Sequence, residues 1–221
     1  MNLKEEISNF KSMVNSYKLT NLMITANNIG IFNSLSEDTK NLEQIAKEIK
    51  VQSDRIEPIL NGLVFHKIIE KNEKGYYLDE YKDVLLKDSK FNQTGYIDFA
   101  QTIMEKYNNL ENAIKDNNFS FDNFKELTEK QAESFMKGMQ ANAISQAEYI
   151  ASKYDFKNHN ILDIGAGAGT YLITVSKKYP SVKGKMIDLP QVSKIQNRNI
   201  EKEHLKDRLI SISCDYNKSF P

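Results

Sequence analysis

The stretch Asp163-Ile164-Gly165-Ala166-Gly167-Ala168-Gly169-Thr170 decides the fold. It follows Asn160-Ile161-Leu162-Asp163-Ile164, a short apolar run of strand character, and opens a helix expected over 170–178. A glycine cluster between a strand and a helix lets the backbone turn tightly and lets a ligand approach where a Cβ would collide. The helix N-terminus beyond it adds N–H groups and the positive end of a dipole, which suit a carboxylate or phosphate. The dinucleotide fingerprint Gly-x-Gly-x-x-Gly does not fit. Its third glycine falls on Thr170 when counted from Gly165, and on Leu172 when counted from Gly167.

Downstream, Pro180 ends the helix, 184–188 forms a second strand, 192–204 a second helix and 209–213 a third strand. Strands alternating with helices predict a parallel sheet with right-handed crossovers, a Rossmann-like arrangement. Open sheets of this kind bind ligands outside the carboxyl ends of their strands. There the sequence places Asp188, where an acid would accept two ribose hydroxyls, and Asp215, where one would meet an adenine amine. Tyr216 stands beside Asp215, ready to pack on the ring. Glycine loop and acids together point to a nucleoside-bearing ligand.

Upstream the texture is helical. Leu3, Ile7, Phe10, Met13, Val14 and Tyr17 recur near a 3.6 period, and a second stripe continues from Leu19 to Ile29, with helix expected from Leu3 to Phe32 and Gly30 as a stop. Residues 41–49 form a short amphipathic helix, 51–53 a turn and 54–67 a longer helix. Ile68-Ile69-Glu70 and Tyr76-Tyr77-Leu78 then flank a charged turn over 71–75, which predicts a hairpin. Helix, turn, helix, hairpin is the order of a winged helix. Two further helical stripes, Tyr96 to Leu110 and Phe135 to Ile150, are separated by a polar loop over 115–122. The expected organisation is α/β: a mostly α winged-helix-like domain over 1–90, a helical region over 91–155 and a partial parallel sheet over 156–221.

Lys+Arg and Asp+Glu both number 30, so no global basic field draws nucleic acid. The single cysteine, Cys214, has no intrachain disulfide partner, which fits a reducing compartment. The N-terminus lacks a signal-peptide core, and no run approaches the ~18 apolar residues of a membrane span. A cytoplasmic protein without metal or membrane partner is expected.

Asp-x-Gly-x-Gly-x-Gly at 163–169, Lys178-Tyr179-Pro180, Ile187-Asp188-Leu189-Pro190 and Cys214-Asp215-Tyr216 resemble the class I O-methyltransferases of plant phenolics, acetylserotonin and bacterial polyketides. Upstream, Tyr107-Asn108-Asn109-Leu110-Glu111-Asn112-Ala113 looks like that family's aromatic-x-x-Leu helix, with Tyr107 where Trp is usual. Phe135 with Gly138-Met139 is similar to its pocket helix. The resemblance implies S-adenosylmethionine as cofactor and a small-molecule hydroxyl acceptor. It would have Asp163, Gly165, Gly167 and Gly169 hold the methionine end, Asp188 and Leu189 the ribose, and Asp215 and Tyr216 the adenine. Phe135 and Met139 would wall the acceptor pocket, although they read equally well as core residues of an amphipathic helix.

The resemblance also implies that the front domain dimerises, and the apolar stripes of the first ~100 residues exceed what a small winged helix buries alone. The family's general base is a His after a fourth strand. His66, His159 and His204 fall on the wrong elements, so no catalytic residue is assigned. The chain is expected to be an incomplete, inactive front part, because it ends at Pro221 just past the third strand. Two competing functions are a winged-helix DNA-binding regulator and a non-catalytic dimerisation and cofactor-binding fragment. Against the regulator, the helix over 54–67 carries Asp54 and Glu57 beside Arg55 and Lys67, a poor phosphate-binding surface.

Overall fold

Asn2 and Asn41, each ahead of an apolar run, set the starts of two of the first helices. A computed structural model describes residues 2–36, 38–116, 129–216 and 218, with the backbone alone at 129–131. The chain forms two compact units, Met1–Gln101 and Thr102–Pro221.

In the first unit, α1 (Leu3–Asn15) begins with a reciprocal cap. Glu5 N–H donates to Asn2 Oδ1 and Asn2 N–H to Glu5 Oε2, both at 3.1 Å. None of its residues is buried, and Phe10 is 63% exposed. The helical segment expected over Leu3 to Phe32 is made of three helices: α1, α2 (Tyr17–Asn28) and α3 (Ile31–Ser34). Ser16 separates the first two, its hydroxyl donating to the Met13 carbonyl at 2.8 Å. Gly30, at φ 86°, ends α2 and starts α3.

Helix α4 (Leu42–Ile49) repeats the reciprocal cap with Asn41 and Gln44, and α5 (Ser53–Phe65) follows. The hairpin is shifted from its expected place: β1 is Glu70–Asn72 and β2 is Gly75–Tyr77, antiparallel. Asn72 Oδ1 accepts from Lys74 N–H at 2.8 Å and Gly75 N–H at 3.2 Å, which tightens the turn to Glu73-Lys74. Gly75 sits at φ 139°, and a Cβ there would lie 2.2 Å from the Lys40 carbonyl oxygen. That closeness reflects an isolated bridge in which Tyr76 and Lys40 exchange both backbone hydrogen bonds. Ile31, Phe32, Ile45, Ile56, Leu60, Leu63, Ile69 and Tyr76 form the buried centre. Each such side chain contributes roughly 1.5–3 kcal/mol.

After α6 (Lys82–Leu85), α7 (Thr94–Tyr107) runs across the boundary between the units. The stripe expected from Tyr96 to Leu110 is broken, because Asn108-Asn109 turns the chain before α8 (Leu110–Lys115). The loop expected over 115–122 lies outside the described residues from 117 onward.

In the second unit, α9 (Glu129–Lys153) packs against α10 (Thr170–Lys178) and α11 (Pro190–Lys202). The strands β3 (Asn160–Ile164), β4 (Lys183–Asp188) and β5 (Leu209–Ser213) are all parallel, in spatial order β3-β4-β5. Ile164 pairs with Ile187, and Ile187 with Ile212, so the three carboxyl ends lie level. Ala151, Leu172, Ile173, Val175, Val182, Met186, Ile200, Leu205 and Leu209 fill the core. The Arg208 guanidinium donates to the carbonyls of Ser176, Tyr179 and Val182 and so fastens the turn from α10 into β4.

On the sheet face away from α10 and α11, Leu162 and Ile164 are each 49% exposed and Ile210 is 55% exposed. Among the described residues, no helix is long and apolar enough to cross a membrane.

Candidate functional site at the carboxyl edge of the sheet

The turn after β3 is built by three glycines with left-handed backbone, Gly165 at φ 68°, Gly167 at φ 54° and Gly169 at φ 82°. Gly169 is doubly constrained, since a Cβ there would fall 2.6 Å from the Met186 sulfur in the core. The loop spends its donors inside the protein. Gly165 and Ala166 N–H both donate to the Ile187 carbonyl (2.9 and 3.3 Å), and Gly169 N–H donates to Ala166 O at 2.9 Å. Gly167 N–H donates to Asp188 Oδ2 at 2.8 Å. At these four positions the loop's N–H groups are thus engaged within the protein. The first turn of α10 supplies N–H groups that have no intrahelical partner.

Asp188 ends β4 and is 8% exposed. Its Oδ1 accepts from Leu189 N–H at 2.8 Å, so each carboxylate oxygen holds one backbone donor. A carboxylate has about four lone-pair sites, which leaves two for a ligand. Asp163, on β3, has a buried Oδ2 with no hydrogen-bond partner. Burial, and then the nearby Asp188 carboxylate, push the Asp163 carboxyl above its ordinary range. An orphaned buried acceptor beside a second carboxylate fits a site for a ligand that carries hydroxyls and a cationic group.

Leu189, half-buried, caps α11 with Pro190 as its first residue. Asp215 and Tyr216 follow β5 at the same edge, and the Tyr216 hydroxyl lies 3.1 Å from where a Cβ on Gly165 would stand. Tyr216 thus reaches across from the third strand to the loop of the first. On α9, Phe135 and Met139 lie one turn apart and are half-buried, but the side chain facing the loop is Met136. Its sulfur stands 4.0 Å from the Cβ position of Gly167. His66, His159 and His204 are all exposed, and His159 precedes β3 at the opposite end of the sheet.

Sequence reasoning misses two amides of α11. Gln196, fully buried, donates from Nε2 to Gly167 O at 3.0 Å, and Asn199 donates from Nδ2 to Ala168 O at 2.9 Å. The signal was present: Gln196 stands midway between the buried Val192 and Ile200 on an apolar stripe of period four.

Residues 96–221, more than half of the chain, match the family model of the O-methyltransferase domain. The chain belongs to this family. A segment of 85 residues, 38% of this chain and 25% of the relative, is 28% identical to the 3-hydroxy-5-methyl-1-naphthoate 3-O-methyltransferase of Streptomyces sahachiroi. Over 121 residues, 51% of this chain and 35% of the relative, it is 26% identical to the mitomycin biosynthesis 6-O-methyltransferase of Streptomyces lavendulae. Among solved structures, human N-acetylserotonin methyltransferase in complex with S-adenosylmethionine superposes with a TM-score of 0.82 at 18% identity. That match covers all of this chain and 69% of the human one, and it establishes the shared fold. The matched segments thus span a quarter to about a third of the curated relatives' lengths.

Proposed function

We propose that the chain binds S-adenosylmethionine at the carboxyl edge of its sheet and serves methyl transfer to a hydroxyl oxygen of a small phenolic or polyketide-type molecule. The observation that carries this reading is the buried, unpartnered Asp163 Oδ2 beside an Asp188 with two lone-pair sites to spare, both under the glycine loop. When bound, the cofactor supplies a methyl group on a sulfonium, which an oxygen nucleophile can take in line.

The chain's own residues bind and orient. Asp188 accepts the two ribose hydroxyls while keeping hold of Gly167 and Leu189. Asp163 offers its orphaned oxygen to the cationic amino acid end, near Gly165, Gly167 and Gly169. Asp215 accepts from the adenine amine, and Tyr216 turns from Gly165 to lie flat on the ring. Phe135 and Met139 wall the acceptor. Orientation of this kind contributes several kcal/mol to a transfer step. The first unit pairs with a second copy of the chain through the exposed stripe of α1, which has no buried residue of its own. The DNA-binding alternative gains nothing from α5, whose exposed face mixes Asp54 and Glu57 with Arg55.

Titration calorimetry with S-adenosylmethionine and S-adenosylhomocysteine tests the cofactor reading. Saturable binding of both is expected, and a silent titration of the folded chain at millimolar ligand would refute it. Labelled S-adenosylmethionine with a panel of phenols, catechols and naphthols then tests the acceptor class.

A further inference from the structure

The backbone of Gly167 is held from both sides. Its N–H is fixed by Asp188 Oδ2 at 2.8 Å and its carbonyl by Gln196 Nε2 at 3.0 Å. Gln196 is held in turn, because its Oε1 accepts from Ser211 Oγ at 2.6 Å on β5. With its amide end bound to a carbonyl, the side chain has one usable orientation. One turn further along α11, Asn199 holds the next carbonyl, that of Ala168. A continuous chain of hydrogen bonds therefore runs from β5 through α11 and the glycine loop to the end of β4.

We propose that Gln196, seconded by Asn199, is a positioning residue for the cofactor. It fixes the plane of the Gly167–Ala168 peptide, while Asp188 holds the N–H of the preceding Ala166–Gly167 peptide, so the two bonds together set φ and ψ of Gly167 and with them the direction in which its N–H meets the Asp188 carboxylate. Glycine brings no side chain to fix its own conformation, and at φ 54° Gly167 has no steric preference to hold it there. The loop's shape must be imposed from outside, and Gln196 imposes it from a fully buried position. A ligand that draws on the remaining lone pairs of Asp188 pulls on the Gly167 N–H bond as well. Gln196, by holding the following peptide, keeps Gly167 from swinging with the pull. This assignment rests on the reading of Asp188 as the ribose acceptor.

The test uses the full chain and the affinity for S-adenosylhomocysteine, measured by calorimetry between about pH 8 and about pH 5, with melting temperatures alongside. Gln196→Glu keeps the shape but, as a carboxylate, cannot donate to Gly167 O, so affinity should fall by about 10–100-fold at the alkaline end. On acidification a protonated carboxyl can donate to Gly167 O and still accept from Ser211, so affinity should recover toward that of the unmodified chain. Burial raises the carboxyl's pKa and brings the recovery within range. Asp163 on β3, Asp188 on β4 and the Glu133–Arg198 pair between α9 and α11 are present in both proteins, so the recovery is read as a difference between them.

Gln196→Met should weaken binding by about ten-fold at every pH, with no acid recovery. Asn199→Ala, at a half-buried position, should cost about 3–10-fold with little change in melting temperature, and it carries the test if the Gln196 variants do not fold. Unchanged affinity in folded Gln196 variants, an acid-insensitive loss in Gln196→Glu, or unchanged affinity in Asn199→Ala would each overturn the positioning role. If the unmodified chain fails to bind at all, the cofactor reading itself falls, which is a separate result.

Discussion

The two units treat polar groups in opposite ways. Among the described residues, the first unit buries one polar side chain, Ser34, whereas the second buries Thr170, Thr174, Ser176, Asp188, Ser193 and Gln196. The first unit uses amides at its surface, as the caps Asn2 and Asn41 and the turn residue Asn72, and leaves Leu3, Phe10 and Met13 in solvent. The second carries amides and a carboxylate into its interior and gathers them at one end of a sheet. Desolvating a polar group is costly unless it is hydrogen-bonded, so such a cluster persists where its members satisfy one another or wait for a ligand. Apolar surface in the first unit suits association, and polar interior in the second suits recognition.

The largest expected effect tests whether the glycine loop is structural to the second unit alone. Gly169→Ala forces a side chain into the left-handed region and against the Met186 sulfur. It should cost about 2–4 kcal/mol in urea unfolding, as left-handed strain and overpacking combine. Loss of the first unit's helical signal in parallel would mean that the units do not unfold separately.

Next, Asp188→Ala removes the acceptor proposed for the ribose and frees the Gly167 N–H. Cofactor affinity should drop by roughly 1.5–3 kcal/mol, since charged hydrogen bonds are lost. An unchanged binding isotherm on folded protein would remove Asp188 from the site.

For the first unit, Phe10→Asp with Met13→Asp should shift sedimentation from dimer toward monomer. Dimer affinity should weaken by about ten-fold or more per side chain, while cofactor affinity is preserved. A unit that sediments as a monomer before any substitution would undo the association half of the comparison.

The smallest effect concerns Asp163. Its folded carboxyl titrates above the unfolded one, so between those two values the folded state holds the extra proton. Stability should therefore fall as pH rises through that window, with the penalty absent below the unfolded value and complete above the folded one. Asp163→Asn should flatten the melting temperature against pH in that range and weaken cofactor binding. A wild-type slope surviving in the variant would assign it to another group.

Much of the second unit is legible in the sequence. Strands β3 and β5 and helix α10 fall on the residues that periodicity predicts, because Gly165 ends β3, Gly169 and Pro180 bracket α10, and a short apolar run such as β5 has few other uses. The hairpin is not legible to the residue, since its register depends on the Asn72 side chain and on a bridge to Lys40, thirty-two positions from Asn72. At the site, Asp163 and Asp188 announce themselves through their place at strand ends. For Gln196 the stripe of Val192 and Ile200 marks its burial, but not its role, because only the distant loop that it meets gives the amide its partner. Met136 is similarly masked by its neighbours Phe135 and Met139, since one helix stripe offers several apolar side chains and the packing angle selects among them.

The spatial order β3-β4-β5 is also the order of synthesis. Each strand pairs with the one made just before it, across a crossover of one helix, and none must be threaded between two others already in place. The two closures span similar lengths of chain, so neither costs much more entropy than the other. The sheet can therefore be laid down strand by strand as the ribosome delivers it. The glycine loop would close onto the end of β4 as soon as Ile187 and Asp188 emerge, before β5 exists to complete the chain through Gln196.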